Sequence, residues 1–135
     1  MNKVLVTGAN GYIALHTIHQ LLQKNYQVRG TIRNSTKKNE IHEALQKKGC
    51  SIDNLDLVEV DLLKDQGWDQ AFDGVSHVLH MAATFTSKPV STEEYMRPQL
   101  EGAQRILELS DKHNVKQLIL TSSFVAVYNT TTSKT

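Results

Sequence analysis

Short apolar runs alternate along this chain with longer stretches whose apolar residues recur at helical spacing. Val4-Leu5-Val6 is a continuous apolar run, the pattern of a central parallel strand buried on both faces. Residues 12–24 place Ala14, Ile18, Leu21 and Leu22 on one helical face, with Asn25 as the stop. A second strand is expected over residues 27–33, where Val28, Gly30 and Ile32 alternate. A second helix over 35–48 would be capped by Ser35 or Thr36 and ended by Gly49. Residues 57–60 read as a third strand, 67–72 as a short helix and 77–81 as a fourth strand. A long helix over 92–113 would carry Leu100, Ala103, Leu107 and Ser110 on one face, with Pro98 as a kink or the start of a second section. Residues 118–120 form a fifth strand, and the polar, threonine-rich residues 129–135 read as a loop or frayed end. Strands alternating with crossover helices predict an α/β fold, a Rossmann-type doubly wound parallel sheet of order 3-2-1-4-5.

Composition narrows the class. The chain has 135 residues, 39% hydrophobic and 21% charged, with a formal charge of +1. This suits one compact soluble domain and argues against nucleic acid as a partner, which usually requires a basic excess. No apolar run reaches the roughly 18 residues of a membrane span, and the apolar N-terminus turns into a glycine loop too early for a signal peptide. Cys50 has no second cysteine to pair with, which fits a reducing cytoplasm, and it reads as an incidental small residue near a helix end. Charge is segregated: residues 24–48 are mostly basic and residues 53–73 mostly acidic. Most of these side chains read as solvated faces.

The candidate chemistry begins where the first strand ends. Thr7-Gly8-Ala9-Asn10-Gly11-Tyr12-Ile13-Ala14 lies between a strand and a helix, the context a phosphate-binding loop requires. Gly8 permits the tight turn, Gly11 lets the backbone approach a pyrophosphate, and Ala14 lets helix and strand pack closely. The helix N-terminus then offers free N–H groups to an anion, which places Asn10, Tyr12 and Ile13 beside it. The end of the second strand discriminates between dinucleotides. An acidic residue there reads a ribose 2′-hydroxyl, whereas an arginine reads a 2′-phosphate. This chain has Arg33, then Lys37 and Lys38, and no acid before Glu40. NADP(H) is therefore expected in preference to NAD(H), gripped by Arg33 and Lys37. Arg29 is expected on a solvated face of its strand.

Four motifs in this order resemble the extended short-chain dehydrogenase/reductase superfamily, within its NAD-dependent epimerase/dehydratase group and closest to the dihydroflavonol- and aldehyde-reductase-like branch. They are the loop at 7–14, Asp61-Leu62, His80-Met81-Ala82-Ala83, and Thr121-Ser122-Ser123. The resemblance implies that Asp61 and Leu62 contact the adenine edge. Ala82 and Ala83 would let the backbone pass the riboses, and Thr121 and Ser122 would lie beside the cofactor. It makes Ser123 the catalytic residue polarising a substrate carbonyl, with Ser122 as second choice, although a serine at a strand end also satisfies backbone groups. The family's Tyr-x-x-x-Lys pair is absent: the residues four after Tyr12, Tyr26, Tyr95 and Tyr128 are His16, Gly30, Gln99 and Thr132.

The expectation is thus the NADP(H)-binding portion, incomplete relative to the family, of an enzyme that reduces an aldehyde or ketone. These residues alone would bind cofactor without turnover. A nucleotide-sugar epimerase or dehydratase, and a non-enzymatic NADP-sensing regulatory module, are the alternatives. The fifth strand, Leu118 to Leu120, would be an exposed edge inviting self-association. His77 and His80 point to opposite faces of a strand and cannot share a metal, and no metal is expected. Tyr12, Trp68, Phe72 and Phe85 are expected to pack rather than stack on a base, although Thr84 and Phe85 could border the nicotinamide.

Overall fold

The computed structural model describes residues 2–82 and 92–121, the side chains of 92–96 and 98 excepted. The elements run β1 (Lys3–Thr7), α1 (Tyr12–Gln23), β2 (Gln27–Ile32), a 3-10 turn (Ser35–Lys37), α2 (Lys38–Lys47) and β3 (Leu55–Glu59). After these come α3 (Trp68–Phe72), β4 (His77–His80), α4 (Thr92–Lys112) and β5 (Gln117–Leu120). All neighbouring strands pair in parallel, in the order β3-β2-β1-β4-β5. This is the Rossmann-type α/β sheet that the alternating pattern predicts.

The sheet is held by the central strand. Successive β1 residues face opposite layers. Val4 and Val6 join Ile18 and Leu22 of α1 and Leu45 of α2, whereas Leu5 joins Trp68, Phe72, Val78 and Ile106 on the other side. Leu5, Val6, Ile18, Leu45, Phe72, Val78 and Ile106 are fully buried, each burial stabilising by roughly 1.5–3 kcal/mol relative to exposure. Gly30 lets the layers close: a Cβ there would lie 2.8 Å from Ala9 Cβ and 2.9 Å from Leu57 Cδ2. Both long helices stop on a left-handed asparagine. Asn25 has φ 66° and Asn114 φ 56°, and the next residues, Tyr26 and Val115, donate to the carbonyls of Leu21 and Ser110, closing the helix ends.

Several local expectations are corrected. The cap before α2 is Asn34, whose side chain accepts from Thr36 N–H, rather than Ser35 or Thr36, and the first turn is 3-10. β3 starts at Leu55, two residues earlier than expected, where it pairs with Val28, and Asp56 of this edge strand pairs with Arg29. Arg29 is not on a solvated face: its side chain is 12% exposed, and it donates to the carbonyls of Gln70, Ala71 and Asp73, capping α3. α4 runs unbroken through Pro98. Its buried face is Gly102, Ile106 and Ser110, whereas Leu100 and Leu107 are exposed. Tyr12 is 78% exposed rather than packed. Trp68 and Phe72 are in the core as expected, and Phe85 lies outside the described residues. Among the described residues β5 pairs only with β4, with Ile119 and Leu120 about half exposed. No helix among them is long and apolar enough to cross a membrane, and no three His, Cys, Asp or Glu residues cluster to hold a metal ion.

One polar group ties the centre of the sheet to the loop beyond it. The Thr7 hydroxyl accepts from the Met81 and Ala82 N–H groups at 2.9 and 3.0 Å. Its own hydrogen is left for His80 Nδ1 at 2.7 Å, so His80 is neutral with its proton on Nε2. Burial holds the His80 pKa below the usual histidine value of 6.5. Above pH 6.5 the imidazole is neutral in both the folded and unfolded chain and folding is unaffected. Below it the unfolded chain takes up the proton first, so stability is lost as pH falls toward the depressed folded value, by at most about 1.4 kcal/mol per pH unit. In His80→Asn, where Oδ1 stands in for Nδ1, the loss between pH 7.5 and 5.5 is expected to shrink. Equal losses for both proteins in urea unfolding would refute this.

Candidate functional site

A cleft of about 470 Å³ opens where the strands end. Gly8 and Asn10 come from the loop after β1, and Thr31, Arg33 and Asn34 from the end of β2. Asp61 and Leu62 follow β3, and Met81 and Ala82 follow β4. A cleft at the carboxyl ends of a parallel sheet, where the chain order reverses about β1, is where open α/β folds bind ligands.

The glycine loop is built by close approach. Gly8 has φ 73°, and a Cβ on it would meet Ala82 Cα at 2.9 Å, so both backbone shape and space exclude a side chain. Gly8 N–H donates to the Thr31 hydroxyl at 3.1 Å and Ala9 N–H to the Thr31 carbonyl at 2.8 Å. Gly11, in extended conformation, caps α1 without a side-chain acceptor, and the first turn has no acidic residue. The unpaired N–H groups of that turn are therefore open to an anion. Tyr12 and Ile13 lie in this turn with exposed side chains, and they can serve an anion through their main chain rather than as lining.

Charge enters from one side. Arg33 is exposed and makes no hydrogen bond or ion pair among the described residues. Lys37 lies in the same lining and pairs with Glu40 at 3.5 Å across an exposed surface, an interaction worth little in water. The opposite wall is polar backbone. Asp61 Oδ1 accepts from Leu63 N–H at 2.9 Å, and the Asp61 carbonyl accepts from the Trp68 indole at 2.9 Å.

The cleft thus gathers Gly8, Asn10, Gly11, Arg33, Lys37, Asp61, Leu62 and Ala82 from the sequence reading. Thr121 follows β5, exposed, with its N–H on the His80 carbonyl. Ala83, Ser122 and Ser123 lie outside the described residues. The sequence reading gave no fastening role to Thr7, though it opens the quoted loop, or to Thr31; their one signal was a hydroxyl residue at or near the end of a strand. It also missed Asn34, and it took Trp68 for packing alone.

Comparison with known proteins agrees with this geometry. The family model for the NAD dependent epimerase/dehydratase family matches residues 4–135. Cinnamoyl-CoA reductase 2 of Arabidopsis thaliana is 38% identical over 127 residues, covering 93% of this chain and 36% of that protein. Aldehyde reductase 2 of Sporidiobolus salmonicolor is 35% identical over 126 residues, covering 91% and 36%. The chain therefore spans little more than a third of the length of these relatives. The crystal structure of yeast methylglyoxal/isovaleraldehyde reductase Gre2 complexed with NADPH superposes with a TM-score of 0.77 at 29% identity, covering 92% of this chain and 38% of that one. The glycine loop, the sheet order and these matches converge, and the chain belongs to the NAD dependent epimerase/dehydratase family.

Proposed function

We propose that these residues hold NADP(H) for an enzyme that reduces an aldehyde or ketone. The observation that carries this reading is Arg33, unpaired among the described residues and lining, with Lys37, the same cleft as the open N-terminus of α1. A guanidinium matches a phosphate with two parallel hydrogen bonds, and an ammonium adds charge beside it. The cleft residues suit the adenosine 2′-phosphate and pyrophosphate portions of the dinucleotide. Gly8, Asn10, Gly11 and the main chain of Tyr12 and Ile13 take the pyrophosphate, Arg33 and Lys37 the 2′-phosphate, and Asp61 and Leu62 the adenine edge. Ala82 lets the backbone pass a ribose. Family resemblance adds Ala83 there, Thr121 and Ser122 toward the nicotinamide, and Ser123 as the residue that polarises the carbonyl. The cofactor, when bound, supplies the hydride, and the protein supplies binding and orientation. A proton donor is also needed, and none of the four tyrosines has a lysine four residues later.

Three outcomes follow. NADPH is expected to bind about 10–100-fold more tightly than NADH, the worth of a charge-assisted bidentate contact. Titration should show that preference collapse in Arg33→Ala, and an unchanged ratio would sink the assignment. In an NADPH-oxidation assay with a panel of aldehydes and ketones, the 135 residues should show no appreciable turnover, because a missing general acid alone costs about 10²–10⁴-fold in rate. Robust turnover abolished by Ser123→Ala would mean that another group donates the proton. The half-exposed edge at Ile119 and Leu120 should promote self-association, and a clean monomer by sedimentation at high concentration would count against it.

A further inference from the structure

The wall formed by Asp61 and Leu62 is held from a distant part of the chain. Arg105, on α4, donates from Nε to the Leu62 carbonyl at 2.9 Å, and its NH1 pairs with Asp65. The two ends of this contact are 43 residues apart. One turn earlier on the same helix, Gly102 leaves room for the Leu62 side chain: a Cβ there would lie 3.3 Å from Leu62 Cδ1. From below, the Trp68 indole holds the Asp61 carbonyl. The loop is thus pinned on its far side while Asp61 and Leu62 face the cleft.

We propose that Arg105 is a positioning residue that sets the Asp61–Leu62 wall for the adenosine end of the dinucleotide. This rests on the cofactor reading above and extends it to a residue that does not line the cleft. Electrostatic attraction to Asp65 cannot be the main effect, because that carboxylate is 95% exposed and such pairs are worth little in water. The Leu62 contact differs, since the Arg105 side chain is only 20% exposed and meets a main-chain carbonyl that fixes the loop itself. The planar fork serves carbonyl and carboxylate together, which a lysine ammonium cannot reproduce. A wall displaced by a fraction of an ångström loses its contacts to a rigid base.

The test uses the whole chain and two probes, NADP⁺ and adenosine 2′,5′-bisphosphate, with amide hydrogen exchange alongside. Arg105→Met should weaken both probes by the same factor, about three- to tenfold, and leave the NADP⁺/NAD⁺ ratio intact because Arg33 and Lys37 are untouched. Exchange should quicken at Leu63 and Lys64, whose N–H groups bond to Asp61, and not along β1. Arg105→Lys should behave like Arg105→Met. Gly102→Ala offers an independent variant that crowds Leu62 without removing any charge, so it should weaken binding. Unchanged affinity in both Arg105→Met and Gly102→Ala would overturn the proposal, as would full rescue by lysine, which would show that charge rather than geometry matters. If the unaltered chain binds neither probe, the cofactor reading fails. Positioning then stands if exchange at Leu63 and Lys64 quickens in Arg105→Met, and falls if it does not.

Discussion

The contact between Gly8 and Ala82 sets the terms for everything around it. The loops that follow β1 and β4 meet there with less space than a methyl group needs, and they stay together because Thr7, one residue before Gly8, accepts the N–H groups of Met81 and Ala82. Thr31 holds the same loop from β2. The shape of the cleft is therefore a by-product of sheet pairing: once β1, β2 and β4 are in register, three backbone segments converge and are joined through the Thr7 and Thr31 hydroxyls. Buried hydroxyls are the suitable fasteners, since they satisfy main-chain donors where water is excluded and add no charge.

Much of this architecture was legible in the residues. Val4-Leu5-Val6, the Gly8 loop and the recurring apolar positions of α1 gave strand, turn and helix, because each rests on local chemistry that few other patterns share. The sheet order followed from reading the alternation of strands and crossover helices as a Rossmann-type doubly wound fold. What stayed hidden depended on neighbours distant in the chain. Arg29 looked like a solvent-facing strand residue because nothing nearby in sequence shows that the end of α3 arrives beside it. The stripe Leu100, Ala103, Leu107 looked like the packed face of α4, yet two of its leucines are exposed and Ile106 is buried. Helical periodicity supplies two candidate stripes there, and only the placement of α3 and Leu62 chooses between them. Thr7 and Thr31 were invisible as fasteners for the same reason.

The cleft divides its labour between chain segments of different kinds. Main-chain N–H groups at the start of α1 are rigid and have no choice of partner, whereas Arg33 and Lys37 sit on long, solvated stems. On the cofactor reading proposed above, the first group would serve any diphosphate, and discrimination between dinucleotides would fall to the second. On that reading, altering the few residues after β2 would change cofactor preference while leaving sheet, loop and helix untouched.

The position of β1 also shapes how the chain must fold. Its pairing with β2 joins Lys3 to Gln27, while its pairing with β4 joins Thr7 to His80. The first is reached early in synthesis, but the second edge of the most buried strand has no partner until the chain beyond residue 80 has been made. Closing so long a loop costs conformational entropy before any contact repays it, and parallel pairings of this kind slow folding. During that interval Val4, Leu5 and Val6 stand at an open edge, so the strand that gives the finished sheet its centre is also the segment most in need of protection while the protein is being made.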